Sequence, residues 1–278
     1  MTVNTASATF DIPTLDRLRS EVDGLLAALD SDDGAEVWRD RLIAEAFFKR
    51  SDPVYLKHRE LPFVLAQWRD LSSWAAVRRP EEIKVRAFNP TTDTHGYYLN
   101  RTVLQTCMDD QAFIFDSLHT LLEGMDLTPL RCIHPILGMQ RDEEGVVLAV
   151  DPVPEGVEGA AGFESMMHFE LPRLDPAQLE GIEAAVLGRL RKVQAVVADH
   201  DAMQARARWL ASHLGEYTVT GTTEYYREVS RVQKFFHWLA ADNYVFVGYA
   251  EFVRVPSGDS PCTLQAQSLL GQGRLAAE

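Results

Sequence analysis

The sequence predicts an α+β fold, an antiparallel sheet with helices laid over it, and three observations predict it. Residues 101–108, RTVLQTCM, form an apolar and β-branched run of the kind that fits a pleated, half-buried surface. After Asp109 and Asp110 break that run, Ile114, Leu118, Leu121, Leu122 and Met125 fall on one stripe of an amphipathic helix. Beyond Gly124 comes a second strand, LRCIHPILGMQR, then the turn Asp142-Glu143-Glu144-Gly145, then a third strand, VVLAV. A helix inserted between the strands of such a set has to cover one face of the sheet they form.

The other elements follow in chain order. Residues 1–80 read as a helical segment. Leu15, Leu18, Val22, Leu25, Leu26 and Leu29 recur at helical intervals, and so do Val37, Trp38, Arg41, Leu42, Glu45 and Phe48 after a polar break at 31–34. Asp52-Pro53 reads as a cap with proline in the first turn. The stretch through Phe63, Leu65, Trp68, Leu71 and Trp74 is helical, with an interruption expected before Pro62. Past Arg79-Pro80 the period shortens to two in IKVRAF, residues 83–88. With the turn-rich loop 89–96 and the strand beyond it, this reads as a long hairpin.

Residues 154–162 read as a flexible connection. Met167, Phe169 and Leu171 then alternate with Met166, His168 and Glu170, giving a strand with one apolar and one mixed face. Asp175-Pro176-Ala177-Gln178 carries a capping residue, a first-turn proline and a capping glutamine ahead of a stripe running from Leu179 to Val197. A further helix is expected from Thr223 to about Asp242. The nearly continuous apolar run YVFVGYAEFVRV then predicts a central strand with a possible bulge at Gly248. No regular pattern is legible after Ser257. The resulting division is 1–80 helical, 81–200 one α+β domain, and 201–278 the start of a second α+β module.

Composition excludes several classes of function. Lys+Arg 27 against Asp+Glu 41 leaves a net charge of -14, which opposes a nucleic-acid or anionic-membrane partner. No apolar run approaches the ~20 residues of a membrane helix, and no signal peptide is recognisable. Cys107, Cys132 and Cys262 lack CxxC spacing and read as small buried thiols of a reducing cytoplasm.

Several segments in order carry a family resemblance. These are Asn89-Pro90-Thr91, His95-Gly96, Thr102-Val103, Asp109-Asp110 with Phe113 and Asp116-Ser117, Ile133-His134-Pro135, ESMMHFE at 164–170, and WLAADNYVFVGYAEF at 238–252. Together they resemble the N-terminal region of the large bacterial NAD-dependent glutamate dehydrogenases. The resemblance implies an ACT-like (ferredoxin-like) sheet with a regulatory rather than catalytic role. It also implies a parent enzyme that uses NAD to convert glutamate to 2-oxoglutarate. The chain carries no glycine-rich dinucleotide fingerprint, so no catalytic residues and no cofactor are assigned to it. Two departures, Gln111-Ala112 for Met-Pro and Met166 for Trp, fall beside the turn where an ACT-type ligand is expected.

The candidate ligand-binding residues are Asp109, Asp110, Gln111, Phe113 and His134. A carboxylate between a strand end and a helix start either caps free N–H groups or holds the ammonium of an amino acid. His134 and His168 lie on two strands of one sheet, where they are hydrogen-bonded histidines or, with Cys132, a metal site. No metal-ligand spacing supports the latter, and no metal is assigned. Asp116, Ser117 and His119 point in different directions from one helix and make no triad. Tyr225, Tyr226, Phe235, Phe236 and Trp238 are at helical spacing and read as core. Two classes of function remain: a regulatory module sensing a small effector, an amino acid, and a structural oligomerisation scaffold without ligand. In either case a homo-oligomer is expected, because an open sheet edge is a template for another chain.

Overall fold

The computed structural model describes residues 42–43, 46–47, 59–152, 162–214, 223–254 and 262–275. Two compact units divide the chain: Met1–Gln111 with Leu118–Leu187, and Ala112–Ser117 with Gly188–Glu278. The helices expected around Leu15–Leu29, the Asp52-Pro53 cap and most of the 154–162 connection lie outside the described residues.

The first unit is built on one antiparallel sheet. Its strands are β1 (Lys84–Phe88), β2 (Thr102–Asp109), β3 (Arg131–Ile133), β4 (Ile136–Arg141), β5 (Val147–Pro152) and β6 (Phe163–Leu171). Their order is β1-β2-β6-β4-β5, with β3 also paired to β6. Because β2 and β4 both run antiparallel to β6, they are parallel to each other. The connection between them therefore contains a crossover helix, α3 (Ile114–Gly124). This is the ferredoxin-like ladder, with β1 flanking β2 and the hairpin strand β5 added at the far edge. The fold class read from the sequence is the one observed.

Local chemistry explains the breaks. The single strand expected over 130–141 is split at His134-Pro135, because proline has no N–H to give the ladder. The register is nonetheless continuous: Ile133 pairs with His168 and Ile136 with Ser165, three steps along each strand. Pro62 lies in the first turn of α1 (Leu61–Ala75), so the expected interruption is the start of that helix. The loop between β1 and β2 holds the short helix α2 (Thr92–His95), ended by Gly96 at φ 75°. Helix α4 (Pro176–Ala198) opens with the expected box, in which the Gln178 side chain accepts the Asp175 N–H at 3.0 Å.

Both faces of the sheet are covered. Gln105, Cys107 and Asp109 stand opposite His168, Met166 and Glu164 on one face; Leu104, Thr106 and Met108 stand opposite Phe169, Met167 and Ser165 on the other. Onto the first face α1 lays Val64, Trp68, Leu71 and Ala75, which join Ile43, Phe47, Cys107, Ile133, Leu137 and Met166 in one cluster. Full burial of each large side chain there contributes about 1.5–3 kcal/mol. The mixed face of β6 is therefore not solvated: Glu164, His168 and Glu170 are all buried. At the outer edge of β1 the Ala87 N–H is taken by the Glu183 carboxylate of α4, at 2.6 Å.

The second unit includes α5 (His200–His213), α6 (Thr223–Trp238), a π-helical turn over Leu239–Asn243, the two-stranded ribbon β7 (Gly248–Arg254) with β8 (Cys262–Gly271), and α7 (Gln272–Leu275). Asp199, just before α5, is buried and accepts hydrogen bonds from the Gly271 N–H at 2.7 Å and from Arg274. Several expectations fail in this unit. The run from Tyr244 is not a central strand: the strand starts at Gly248, belongs to a two-stranded ribbon, and exposes Phe252 and Val253. Helix α5 and strand β8 were not anticipated. The aromatic residues of α6 are not core, because that helix buries no residue and Tyr225, Tyr226, Phe235 and Trp238 are all exposed. Of the three thiols, Cys107 is buried and Cys262 exposed.

A candidate functional site at the turn after the second strand

Strand β2 ends on Asp109, whose cross-strand neighbour is Glu164. Two carboxylates placed directly opposite each other repel, and two arginines resolve the conflict. Arg78 donates from Nη2 to Asp109 Oδ1 at 2.5 Å and approaches Glu164 Oε1 at 2.9 Å, while its Nε donates to Glu164 Oε2 at 3.1 Å. Arg141 holds the same carboxylate in a fork, Nε to Oε1 at 2.6 Å and Nη2 to Oε2 at 2.8 Å. Two guanidiniums and two carboxylates balance in charge, so this polar cluster sits beneath α1 without a formal charge excess.

The backbone sets these arginines in place. The hairpin turn at 142–145 ends on Gly145 at φ 87°, and a Cβ there would meet the Arg78 carbonyl at 2.4 Å. That close approach lets the Arg78 N–H donate to the Gly145 carbonyl at 2.9 Å, while Arg141 Nη1 donates to the same carbonyl at 2.8 Å. The electrostatics follow. Burial pushes the Glu164 carboxyl up, but hydrogen bonds and charge from Arg141 and Arg78 outweigh it and hold it below its ordinary value. Burial alone lowers the Arg78 pKa, but Glu164 and then Asp109 raise it above normal. Cys107, 3.4 Å from Glu164, is pushed up to about 12 by burial first and by the Glu164 charge second, so it stays a neutral thiol.

Beyond Asp109 the chain turns. The Asp110 N–H donates to the Phe163 carbonyl at 2.7 Å, extending the β2–β6 ladder by one bond. The sequence places the helix start near Gln111. The helix instead begins at Ile114, four residues later, and the Phe113 carbonyl accepts the Ser117 N–H at 3.1 Å. Phe113 has φ 71°, a left-handed conformation that costs a bulky residue about 1–3 kcal/mol, and its ring is exposed. The side-chain nitrogen of Gln111 is buried with no hydrogen-bond partner. Asp109 keeps 54% of its side chain exposed, and its Oδ1 is the oxygen that meets Arg78.

His134 Nε2 meets Ser165 Oγ at 2.7 Å, and Ser165 lies on the face opposite His168, so adjacent strands do not bring the two imidazoles together. His168 is clamped between the side-chain amides of Gln67 (2.8 Å) and Gln105 (2.9 Å), and burial lowers its pKa to about 4. Among the described residues no group of His, Cys, Asp and Glu has the arrangement of a metal site, and no helix is long and apolar enough to cross a membrane. Sequence reasoning missed Arg78 as the partner of Asp109, and Glu164 and Arg141 as the rest of its cluster. The only signal for Glu164 was its place on the mixed face of β6, and nothing local marks either arginine.

A family model described as "Glutamate dehydrogenase, ACT1 domain" matches residues 43–186, which contain the sheet and the acidic turn. The NAD-specific glutamate dehydrogenase of Halomonas elongata is 31% identical over 265 residues, covering 94% of this chain and 16% of that protein. The Pseudomonas aeruginosa enzyme of the same name is 28% identical over 239 residues, covering 84% of this chain and 14% of its own length. The Mycobacterium tuberculosis enzyme is 25% identical over 152 residues, or 52% of this chain and 9% of that protein. The chain thus spans only a small part of the relatives it matches.

Proposed function

Because this chain belongs to the glutamate dehydrogenase ACT1-domain family, we propose that it is a non-catalytic regulatory module of a cytoplasmic NAD-specific glutamate dehydrogenase and senses an amino acid at the turn after β2. The parent enzyme would oxidise glutamate to 2-oxoglutarate with NAD, at a site outside this chain. The observation that carries the sensing role is the backbone strain at Phe113, on an exposed turn directly after two carboxylates. Strain of this size persists where the surroundings hold it, and it gathers at ligand clamps and switches. In this reading Asp109 and Asp110 take the ligand ammonium and the Gln111 amide supplies a donor.

A specific observation favours the second reading, a structural scaffold without ligand: Asp109 already has a cationic partner in Arg78. A thermal-shift screen of the 278-residue protein against the common amino acids separates the two, since a ligand that binds only the folded state raises the melting temperature. A saturable rise with one or a few amino acids supports sensing. No rise with any of them supports the scaffold.

A further inference from the structure

Arg78 stands between two carboxylates that differ in reach. Its side chain and that of Glu164 each keep 4% of their surface, whereas Asp109 keeps 54%. One nitrogen serves both partners: Nη2 meets Asp109 Oδ1 at 2.5 Å and Glu164 Oε1 at 2.9 Å. The other nitrogens are committed inward, Nε to Glu164 Oε2 at 3.1 Å and Nη1 to the Glu82 carbonyl at 3.0 Å. The bond to Asp109 is therefore the one that Arg78 can lose while Glu164 and Glu82 still hold the same guanidinium. Asp109 is also the one member of the cluster that solvent reaches freely, so a cation arriving from outside meets it first.

We infer that Arg78 is a built-in competitor for the effector's ammonium: it occupies Asp109 in the resting protein, and an amino acid binds by taking Asp109 from it. This rests on the sensing role proposed above. A guanidinium and an ammonium are both cations that only donate hydrogen bonds, so one can replace the other on a carboxylate. The exchange has a consequence inside the fold. Once Asp109 changes partner, Arg78 and Arg141 are left on Glu164, two cations on one buried carboxylate. Part of that excess falls on the end of α1. Arg141 donates to the Ala75 and Ala76 carbonyls at 3.0 and 3.3 Å, and carbonyls at a helix C-terminus carry partial negative charge. Occupancy of the solvent-facing turn is thereby felt at the helix that covers the sheet.

The sign of one substitution separates a competitor from a structural arginine. A pair that has to open before an effector enters lowers the apparent affinity by the fraction of time it is open. Removing Arg78 should therefore tighten binding, whereas losing an arginine that only shapes the site should weaken it. Arg141 is the internal control. It carries the same charge and holds the same Glu164, but its hydrogen bonds go to Glu164, to Met139 and to the carbonyls of residues 75, 76 and 145, not to Asp109.

Thermal-shift titrations with each of the twenty common amino acids test this on the 278-residue wild type, Arg78→Gln and Arg141→Gln, each read against its own unliganded melt. The half-saturating concentration should fall in Arg78→Gln by roughly tenfold or more, and should change less in Arg141→Gln. A wild-type response that is equal or weaker in Arg78→Gln, or an equal tightening in Arg141→Gln, would overturn the inference and leave the sensing role standing. No response in any of the three proteins would remove the sensing role, and the inference with it. If Arg78→Gln lacks the circular dichroism of the wild type, NMR of the arginine side-chain nitrogens in the wild type reads the same event. The responding amino acid should then shift the Arg78 Nε signal more than that of Arg141, and equal or absent shifts would overturn the inference.

Discussion

Replacing Glu164 with Gln keeps the side-chain volume and removes one negative charge from beneath α1. The consequence follows from exposure: Glu164 and Arg78 each keep 4% of their side-chain surface and Arg141 keeps 9%, so the guanidiniums cannot turn to water. Asp109 remains as their one carboxylate partner in the cluster, against two cations. Removing one partner from a buried ion-pair cluster costs about 3–5 kcal/mol. At roughly 2–4 °C per kcal/mol for a unit of this size, the melting temperature should fall by about 6–20 °C. The assay is a pair of thermal melts at neutral pH, with Glu143→Gln in the exposed hairpin turn as the control that removes a charge without burying one. The pH dependence has a definite sign. The folded pKa of Glu164 lies below its ordinary 4.5, so its contribution is fully present above that pH and is lost as pH falls below it. Melts of the Gln variant should therefore depend less on pH in that acid range. A Glu164→Gln protein that melts with the control at neutral pH would refute the reasoning.

Further outcomes follow from the same sheet and its hairpin. His168 is buried neutral with a folded pKa of about 4 against an ordinary 6.5, so stability should decline as pH falls from 6.5 toward 4, by roughly 3 kcal/mol in all. Urea denaturation at neutral pH and near pH 5 should show that slope in the wild type and a smaller one in His168→Gln. Gly145→Ala should destabilise by at least ~1–3 kcal/mol, because it adds a Cβ both at φ 87° and against the Arg78 carbonyl; a chemical-denaturation midpoint equal to wild type would contradict this.

Much of the fold was legible from short-range chemistry. The period-two run of β1, the acidic break after β2, the stripe of α3 and the turn at 142–145 each leave a local pattern, and all four stand where that pattern placed them. The misses have physical causes. Helix α5 buries Met203, Gln204, Ala207 and Ala211, a stripe too small and polar to stand out as apolar. Strand β8 is mostly exposed, so it lacks the alternation that burial imposes. The run from Tyr244 looked central because continuous apolarity usually means cover on both faces, yet Tyr244, Val247 and Phe252 are exposed.

At the candidate site the sequence placed Asp109 at a strand end but said nothing of Arg78 and Arg141. Those partners come from residues 31 and 32 positions away, and only the sheet register and the hairpin turn bring them to the same carboxylates. The helix expected from near Gln111 starts later because the chain spends three further residues after Asp110, including the strained Phe113, before helical geometry begins.

The sensing role is tested most directly at Asp110, by calorimetric titration of the wild type and Asp110→Asn with whichever amino acid gives the largest thermal shift. Asn keeps the shape and the backbone bond to Phe163 while removing the charge, and the unliganded melting temperature of each protein serves as its own baseline. Affinity should fall by roughly tenfold or more, the loss of a charge-assisted contact to an ammonium. Equal affinities in the two proteins would contradict it and take Asp110 out of the binding site.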